Sequence, residues 1–560
     1  MAIVTLNDKH LYDIADAIRS VNGESATYRP SQMASAIDDV GSYVNGIING
    51  NVSTITNNVV EYITSYAFYG LSRLAQVTFG NCTEIDNYAF NNCTALRNVS
   101  FPKCTTIGQY AFNGCTSLRK VNFPLCTSIH ASAFASCRLM SEANFDARVV
   151  VGNYAFQSCN SLTRVSFPNC IQINEYAFTS CNSLAEIDFP NCTVIYSSAF
   201  LSCPSLVSVN LSACAVIHRS AFVSCTALQQ IELPTCGHID YYAFMNCTNL
   251  KSVSMPLLTF IEEGLFQNCK KLSDVYVPAC TGVGYNAFQN CTGLSTIAFS
   301  ECTTVRDIAF RSCTNLVSVN MPKCLWIGSS AFYSCNALQD VSLPKAQVVH
   351  NYAFAYCSSL QSINLPDVVT VYQYAFYSCR NLTTVDLEEC SILSDYAFYS
   401  CPNLTTVNAP DCYNIFAYAF ANCTNLKNLN LNSCSQIRNY AFQNCTGLSE
   451  ISLPVCSLIS ASAFASCTSL KVVELGKTVY ISTSAFYNCR SLESLYLRGS
   501  EVATIHNINV FMNTPLRVSS YLGYFGSIYV PENLYSAYLE NASWASFGDR
   551  IVSYVDNGGE

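Results

Sequence analysis

Residues 115–129 read CTSLRKVNFPLCTSI, and the spacing of their apolar side chains decides the fold. Leu118, Val121, Phe123, Cys126 and Ile129 fall on the pattern LxxLxLxxCxxI. Between Val121 and Phe123 the chain alternates apolar and polar, which is the period of a strand with one buried face. Pro124 has no backbone N–H and ends such a strand. Just upstream, Ala111-Phe112 leads into Cys115. That phenylalanine returns every 22 residues, from Phe68, Phe90, Phe112 and Phe134 to Phe464 and Phe486, twenty times in register. A fixed short period is the mark of stacked coils, each burying its apolar edge only against its neighbours.

The LxxLxLxxCxxI spacing is the core pattern of leucine-rich repeats. Together with the recurring Y-A-F-x-x-C-x-x-L segment, it resembles the BspA-type leucine-rich repeat over residues 65–497. The resemblance implies a leucine-rich-repeat solenoid, mainly β, with one parallel strand per 22-residue coil. It further implies an adhesive or interaction surface, although a fold does not by itself fix an activity.

The 33 cysteines follow the same period. Nineteen lie three residues after a repeat phenylalanine, from Cys93 to Cys489, and fourteen lie fourteen residues after it, such as Cys82, Cys104 and Cys456. Stacked side chains point the same way, and Leu71, Leu258, Ala346 and Val368 substitute in these columns. Reduced, buried cysteines acting as small hydrophobes are expected. A linear ladder does not supply the tetrahedral closure that zinc needs, so no metal and no cofactor is expected.

Composition narrows the partners. Charged residues are 12% of the chain, net charge is −9, and no Lys/Arg cluster occurs, which argues against nucleic-acid binding. No apolar run reaches the roughly 18–20 residues of a membrane helix, so membrane insertion is not expected. The opening MAIVTLNDKHLYDIADAIRS lacks a basic start followed by an apolar stretch, so secretion by a signal peptide is not expected.

Regularity fails at both ends. Residues 1–42 form a separate module, in which Leu11, Ile14 and Ile18 share one helical face and Met33 and Ile37 mark a second short helix. The stretch LYDIADAIRSVNGESATYRPSQMASAI resembles an N-terminal module of phage and prophage tail and structural proteins; a helical hairpin capping the solenoid is the other reading. Residues 43–64 read as a linker and first strand. Three residues are inserted after Leu497, which moves the next repeat phenylalanine to Phe511 and makes 498–525 an irregular last repeat. Residues 526–560 read as a β/α C-terminal cap. Pro531 is expected to start a helix carrying Tyr535, Tyr538 and Leu539, and Trp544, Phe547 and Ile551 to close the last coil.

No catalytic constellation is legible, so an enzyme is not expected. His130, His218 and His350 share a column but stand at least four coils apart, about 20 Å at ~4.8 Å per coil. Two surfaces remain. The strand face carries Asn98, Lys120, Glu142, Arg164 and Glu186 in one column and Ser100, Asn122, Asn144, Ser166, Asp188 and Asn210 in the other. Such groups suit hydrogen bonding along the stack or a polar ligand such as a glycan. On the turn side, tyrosine precedes Ala-Phe in many coils, and extra aromatics gather near 372–420. Tyr372, Tyr374, Tyr377, Tyr396, Tyr399, Tyr413, Phe416 and Tyr418 are the candidate ligand-binding residues, either as an interface or as a shield for the coil edge.

These readings add up to a non-enzymatic phage virion protein of the tail or tail tip. It would be made in the bacterial host cytoplasm and present in several copies. Leu11, Ile14, Ile18, Met33 and Ile37 would attach it to other tail or baseplate proteins. The repeats would face a host-surface glycan or protein. A bacterial surface adhesin of the same repeat family, and a purely structural virion protein, are the alternatives.

Overall fold

The structure, a computed structural model, describes residues 52–58, 60–517 and 525–555. The expected attachment residues Leu11, Ile14, Ile18, Met33 and Ile37 lie outside the described residues. The described residues fall in two compact units, those up to 258 with 274–277 and those of 259–273 with 278 onward.

One coil shows how the sequence folds. The strand Lys120–Asn122 buries Val121 and exposes its neighbours, as alternation requires. It pairs in parallel with Glu142–Asn144, shifted by one 22-residue period. Phe112, Cys115, Leu118, Phe123, Cys126 and Ile129 are all at most 1% exposed, so the apolar pattern is the core. The expected strand is present, and each coil adds a second of two residues, here Ser128–Ile129, paired with Thr106–Ile107. Its origin is backbone accounting. Once coils stack in register, each buried N–H needs the carbonyl of its counterpart.

The Ala-Phe segment is not helical. It is a run of turns with two left-handed residues per coil, such as Tyr110 at φ 55° and Gly114 at φ 72°. Alternate N–H groups donate to the next coil, Tyr110 to Ala131, Phe112 to Ala133 and Gly114 to Ala135, at 2.7–3.0 Å. The residues between close local turns within the coil, as Ala111 does on Gly108. The turn side therefore forms a third backbone ladder.

In the first unit the short strands form a nine-stranded parallel ladder from Tyr62–Ile63 to His238–Ile239. The longer strands run from Thr54–Asn57 to Asp274–Tyr276 in three segments. Its core holds two phenylalanine columns. Phe90 and Phe112 stack at 5.1 Å, and Phe101, from the strand column, meets Phe112 edge-on at 6.0 Å. In the second unit the short strands form a twelve-stranded ladder from Phe260–Ile261 to Thr504–Ile505. There a single phenylalanine column continues through Phe486 to Phe511, 5.8 Å apart despite the insertion between them.

All 33 cysteines are buried and free. The two columns use their thiols differently. Cys115 Sγ donates to Phe90 O of the preceding coil at 3.2 Å, and the same carbonyl accepts Cys93 N–H at 3.1 Å. Cys126 Sγ instead donates to Ser128 O, two residues on, at 3.3 Å. Cysteine is thus a small core residue that also fills a carbonyl's second lone pair. Burial pushes the thiols of Cys126, Cys159, Cys203 and Cys401 up to about 12.

The C-terminal segment closes the last coil partly as expected. Pro531 ends the strand Ser527–Pro531 and also caps the helical segment as expected, a 3-10 helix Glu532–Leu534 that runs into the α-helix Tyr535–Glu540. Tyr538 is buried, but Leu539 is 37% exposed. Ile551 opens a further strand, Ile551–Tyr554, paired with Ser527–Pro531. Trp544 and Phe547 are buried as expected. The backbone of Ala503 is held from both sides, donating to Tyr538 Oη at 2.9 Å and accepting from Trp544 Nε1 at 2.6 Å.

Candidate functional site

The candidate aromatics of the second unit lie in four columns of the coil, and the structure brings only some of them together. Tyr374, Tyr396 and Tyr418 stack in one ladder that extends to Tyr352 and Tyr440. Its four steps are 4.7–4.8 Å, with planes within 11°. Each ring stands at a left-handed residue, φ 58–60°. Bulky residues are disfavoured there by about 1–2 kcal/mol. Other coils make the same turn with Ser330, Ser462 or Ser484 at φ 56°.

Tyr377 and Tyr399 form a parallel row beside this ladder, 5.4 Å apart and 3° from coplanar. They touch it through Tyr374–Tyr377 at 5.7 Å and Tyr396–Tyr399 at 5.5 Å. Tyr356 and Tyr333 extend the row edge-on. The result is a double ladder of half-exposed tyrosines. Its ring faces are used against each other, so it presents ring edges and hydroxyls outward. Stacking on a ring face is open only at the ladder ends. Burial, followed by neighbouring tyrosines, raises the phenol pKa of Tyr374 and Tyr418, which keeps these hydroxyls as donors.

Tyr372 lies in another column, stacked on His350 at 4.8 Å, with Trp326 4.2 Å from His350 on the far side. Burial lowers the His350 pKa, favouring the neutral ring. Phe416 belongs to the same column as Tyr372, two coils on. Tyr413 stands apart, 47% exposed, with its carbonyl accepting from Ser435 N–H and Oγ–H at 3.0 Å. Sequence reading missed Trp326, His350, Tyr333 and Tyr356 as members of the site. Counting each residue from its repeat phenylalanine would have placed all four beside it.

The strand faces are polar grooves. In the first unit, Glu186, Asp188, Ser208, Asn210, Gln230 and Glu232 line a cavity of about 500 Å³, with Asn210 Nδ2 donating to Asp188 Oδ1 at 2.7 Å. In the second, Thr406, Asn408, Asn428, Asn430, Glu450 and Glu474 line one of about 560 Å³. Here the asparagine ladder is real but short, Asn430 to Asn408 to Asp386, both at 2.7 Å. The histidine column gains one cluster. His218 and His238 each bond one oxygen of Asp240, at 2.9 and 2.8 Å. Among the described residues no group of side chains is arranged to hold a metal ion, and no helix is long and apolar enough to cross a membrane.

The model of the BspA type leucine-rich repeat region, itself six repeat copies long, matches at residues 48–150, 149–273, 237–346, 325–448 and 391–517. The chain belongs to the BspA-type leucine-rich repeat family. Among solved structures, it is similar to a leucine-rich cell surface protein from Faecalibacterium prausnitzii. Identity is 23%, TM-score is 0.32, and 64% of this chain and 88% of the other are covered. It is also similar to a leucine-rich repeat protein from Bacteroides ovatus, at 19% identity and TM-score 0.23, over 81% of this chain and 94% of the other. The Treponema pallidum leucine-rich repeat protein is 24% identical, with TM-score 0.25, over 31% of this chain and 77% of the other. No curated protein matches the chain.

Proposed function

We propose that this BspA-type repeat protein is a non-enzymatic adhesin that binds a cell-surface polymer or protein through the turn side of its second unit. The observation that carries this reading is the run of tyrosines at 352, 374, 396, 418 and 440. Serine makes the same left-handed turn in other coils with less strain. Backbone strain retained where a cheaper residue would serve points toward function. Tyrosines held rigid by stacking lose little entropy on binding, and repeated contacts along the ladder add avidity.

Two settings fit this activity. The DIADAIR motif favours a phage virion protein of the tail or tail tip. Residues 1–42 would then dock it, in several copies, on other virion proteins, and the repeats would meet the host surface. Membership of the repeat family fits a bacterial surface adhesin equally well. Antibody labelling separates them. Decoration of tail particles supports the first, and decoration of the cell envelope supports the second.

The binding itself is tested with the full chain on intact bacterial cells. A variant with Tyr374→Ser, Tyr396→Ser and Tyr418→Ser keeps the turn and removes the rings. The expected outcome is a loss of cell binding of at least tenfold with the fold retained. Undiminished binding by the triple variant would overturn the assignment to this surface.

A further inference from the structure

One coil of the first unit departs from the cysteine ladder. Arg148 stands fourteen residues after Phe134, in the column held by Cys126 and Cys170 in the flanking coils. A guanidinium cannot enter that core unpaired, and the chain shifts by one residue to keep it out. Val149 takes the buried place, at 0% exposure like Cys126 and Cys170, while Arg148 is exposed. The short strand still pairs, Val150 with Ser128 on one side and with Gln172 on the other. The shift itself does not call for a cation. It recurs in the second unit, where Thr478 holds the cysteine position and Val479 is buried, 1% exposed.

The displaced side chain borders a cavity of about 590 Å³, whose other walls are Asn169, Ile171, Gln172, Asn191 and Thr193 of the next two coils. Small-ligand sites span roughly 300–1,000 Å³. Arg148 alone among these residues is charged, and among the described residues it forms no ion pair. Asp146, the acidic residue nearest along the chain, is not part of the lining. One hydrogen bond holds each amide in place. Asn169 Nδ2 donates to Asp146 O at 2.7 Å, Asn191 Nδ2 to Pro168 O at 3.0 Å, and Gln172 Nε2 to Asn174 Oδ1 at 2.6 Å. Each amide has a second N–H and a carbonyl oxygen to offer a guest. These walls select their occupant. A cation without a carboxylate partner calls for a single negative charge, and the planar guanidinium matches the two oxygens of a carboxylate. The neutral amides and the Thr193 hydroxyl match hydroxyl groups, which both donate and accept. Two coil steps of ~4.8 Å make the site about 10 Å long, room for one sugar ring with its carboxylate at Arg148.

We propose that the cavity between Arg148 and Thr193 binds an acidic sugar, a hexuronate whose carboxylate pairs with Arg148. The site lies on the first unit and goes beyond the adhesin reading, which rests on the tyrosines of the second.

The test uses the full chain at low ionic strength, where charge pairing is least screened. Methyl glucuronide and methyl galacturonide are the probes, the matching neutral methyl glycosides and dimethyl phosphate the controls, each titrated by saturation-transfer NMR. At least one uronide should bind, and its neutral counterpart should bind at least tenfold more weakly. Arg148→Gln removes the charge from an exposed side chain and should weaken the uronide at least tenfold. Asn191→Asp sets a carboxylate in the cavity wall at almost unchanged size, should weaken it by a similar factor, and serves if the first variant does not fold. No uronide binding, binding matched by the neutral glycoside, or binding unchanged in either folded variant overturns the site. Tighter binding of dimethyl phosphate also overturns it, because the charge would then belong to a phosphodiester. The variant with Tyr374→Ser, Tyr396→Ser and Tyr418→Ser should bind the uronide like the unaltered chain, which separates this site from the adhesive surface.

Discussion

Tyr374 sits at φ 58°, a conformation that a bulky side chain avoids, and it is paired on both sides by rings 4.7 Å away. Each aromatic pair returns about 0.5–1.5 kcal/mol beyond burial, which offsets a left-handed cost of about 1–2 kcal/mol. Tyr374→Ser should therefore change stability by no more than about 1 kcal/mol in a denaturant titration. The cysteines show a second residue-scale balance. With folded pKa values near 12 for Cys126, Cys159, Cys203 and Cys401, these thiols stay protonated where the unfolded chain, near 9.0, ionises. Above pH 9 the unfolded state binds fewer protons than the folded one, so stability falls as pH rises, by up to about 1.4 kcal/mol per pH unit for each thiol. A melting temperature that drops steeply between pH 9 and 12 is the expected result, with thiols inert to iodoacetamide at pH 8 until the chain unfolds. A flat profile, or rapid labelling of the native chain, would contradict this burial.

At the scale of one coil, the sequence spoke clearly about the core and poorly about the turn. Val121, Phe123, Cys126 and Ile129 could be assigned to the interior because a 22-residue period keeps each in one column. The second strand, Ser128–Ile129, is too short to show alternation, and it exists because stacking brings backbone to backbone. The left-handed tyrosines were hidden because residue type argues against that conformation. Counting placed Tyr372 and Phe416 in one column, but not the orientation of Tyr372 against His350. Ile308 offers a sharp test of the turn. It is a β-branched residue at φ 62°, in a column where Asn286 and Ser330 adopt φ 55° and 56°. Ile308→Asn should stabilise the second unit by about 1 kcal/mol, seen as a higher denaturation midpoint. Destabilisation would mean that the Ile308 side chain contributes more than its backbone costs.

At the scale of the molecule, a stack of coils must be closed at its ends, and the described C-terminal end is closed by Trp544, Phe547 and Tyr538. Trp544→Ala removes a buried ring and the donor to Ala503 O. It should cost about 3–5 kcal/mol, appearing as faster hydrogen exchange in the coils nearest residue 503, with 65–250 unchanged. The proposed adhesin binds through the turn side of its second unit and leaves its ligand uncleaved. The most direct measurement is hydrogen exchange of the full chain with and without purified bacterial envelope polymer. Protection gained across 350–440, with the polymer recovered at its original length, is the predicted result. Protection confined to the strand grooves near 186–232 or 406–474, or a shortened polymer, would contradict it.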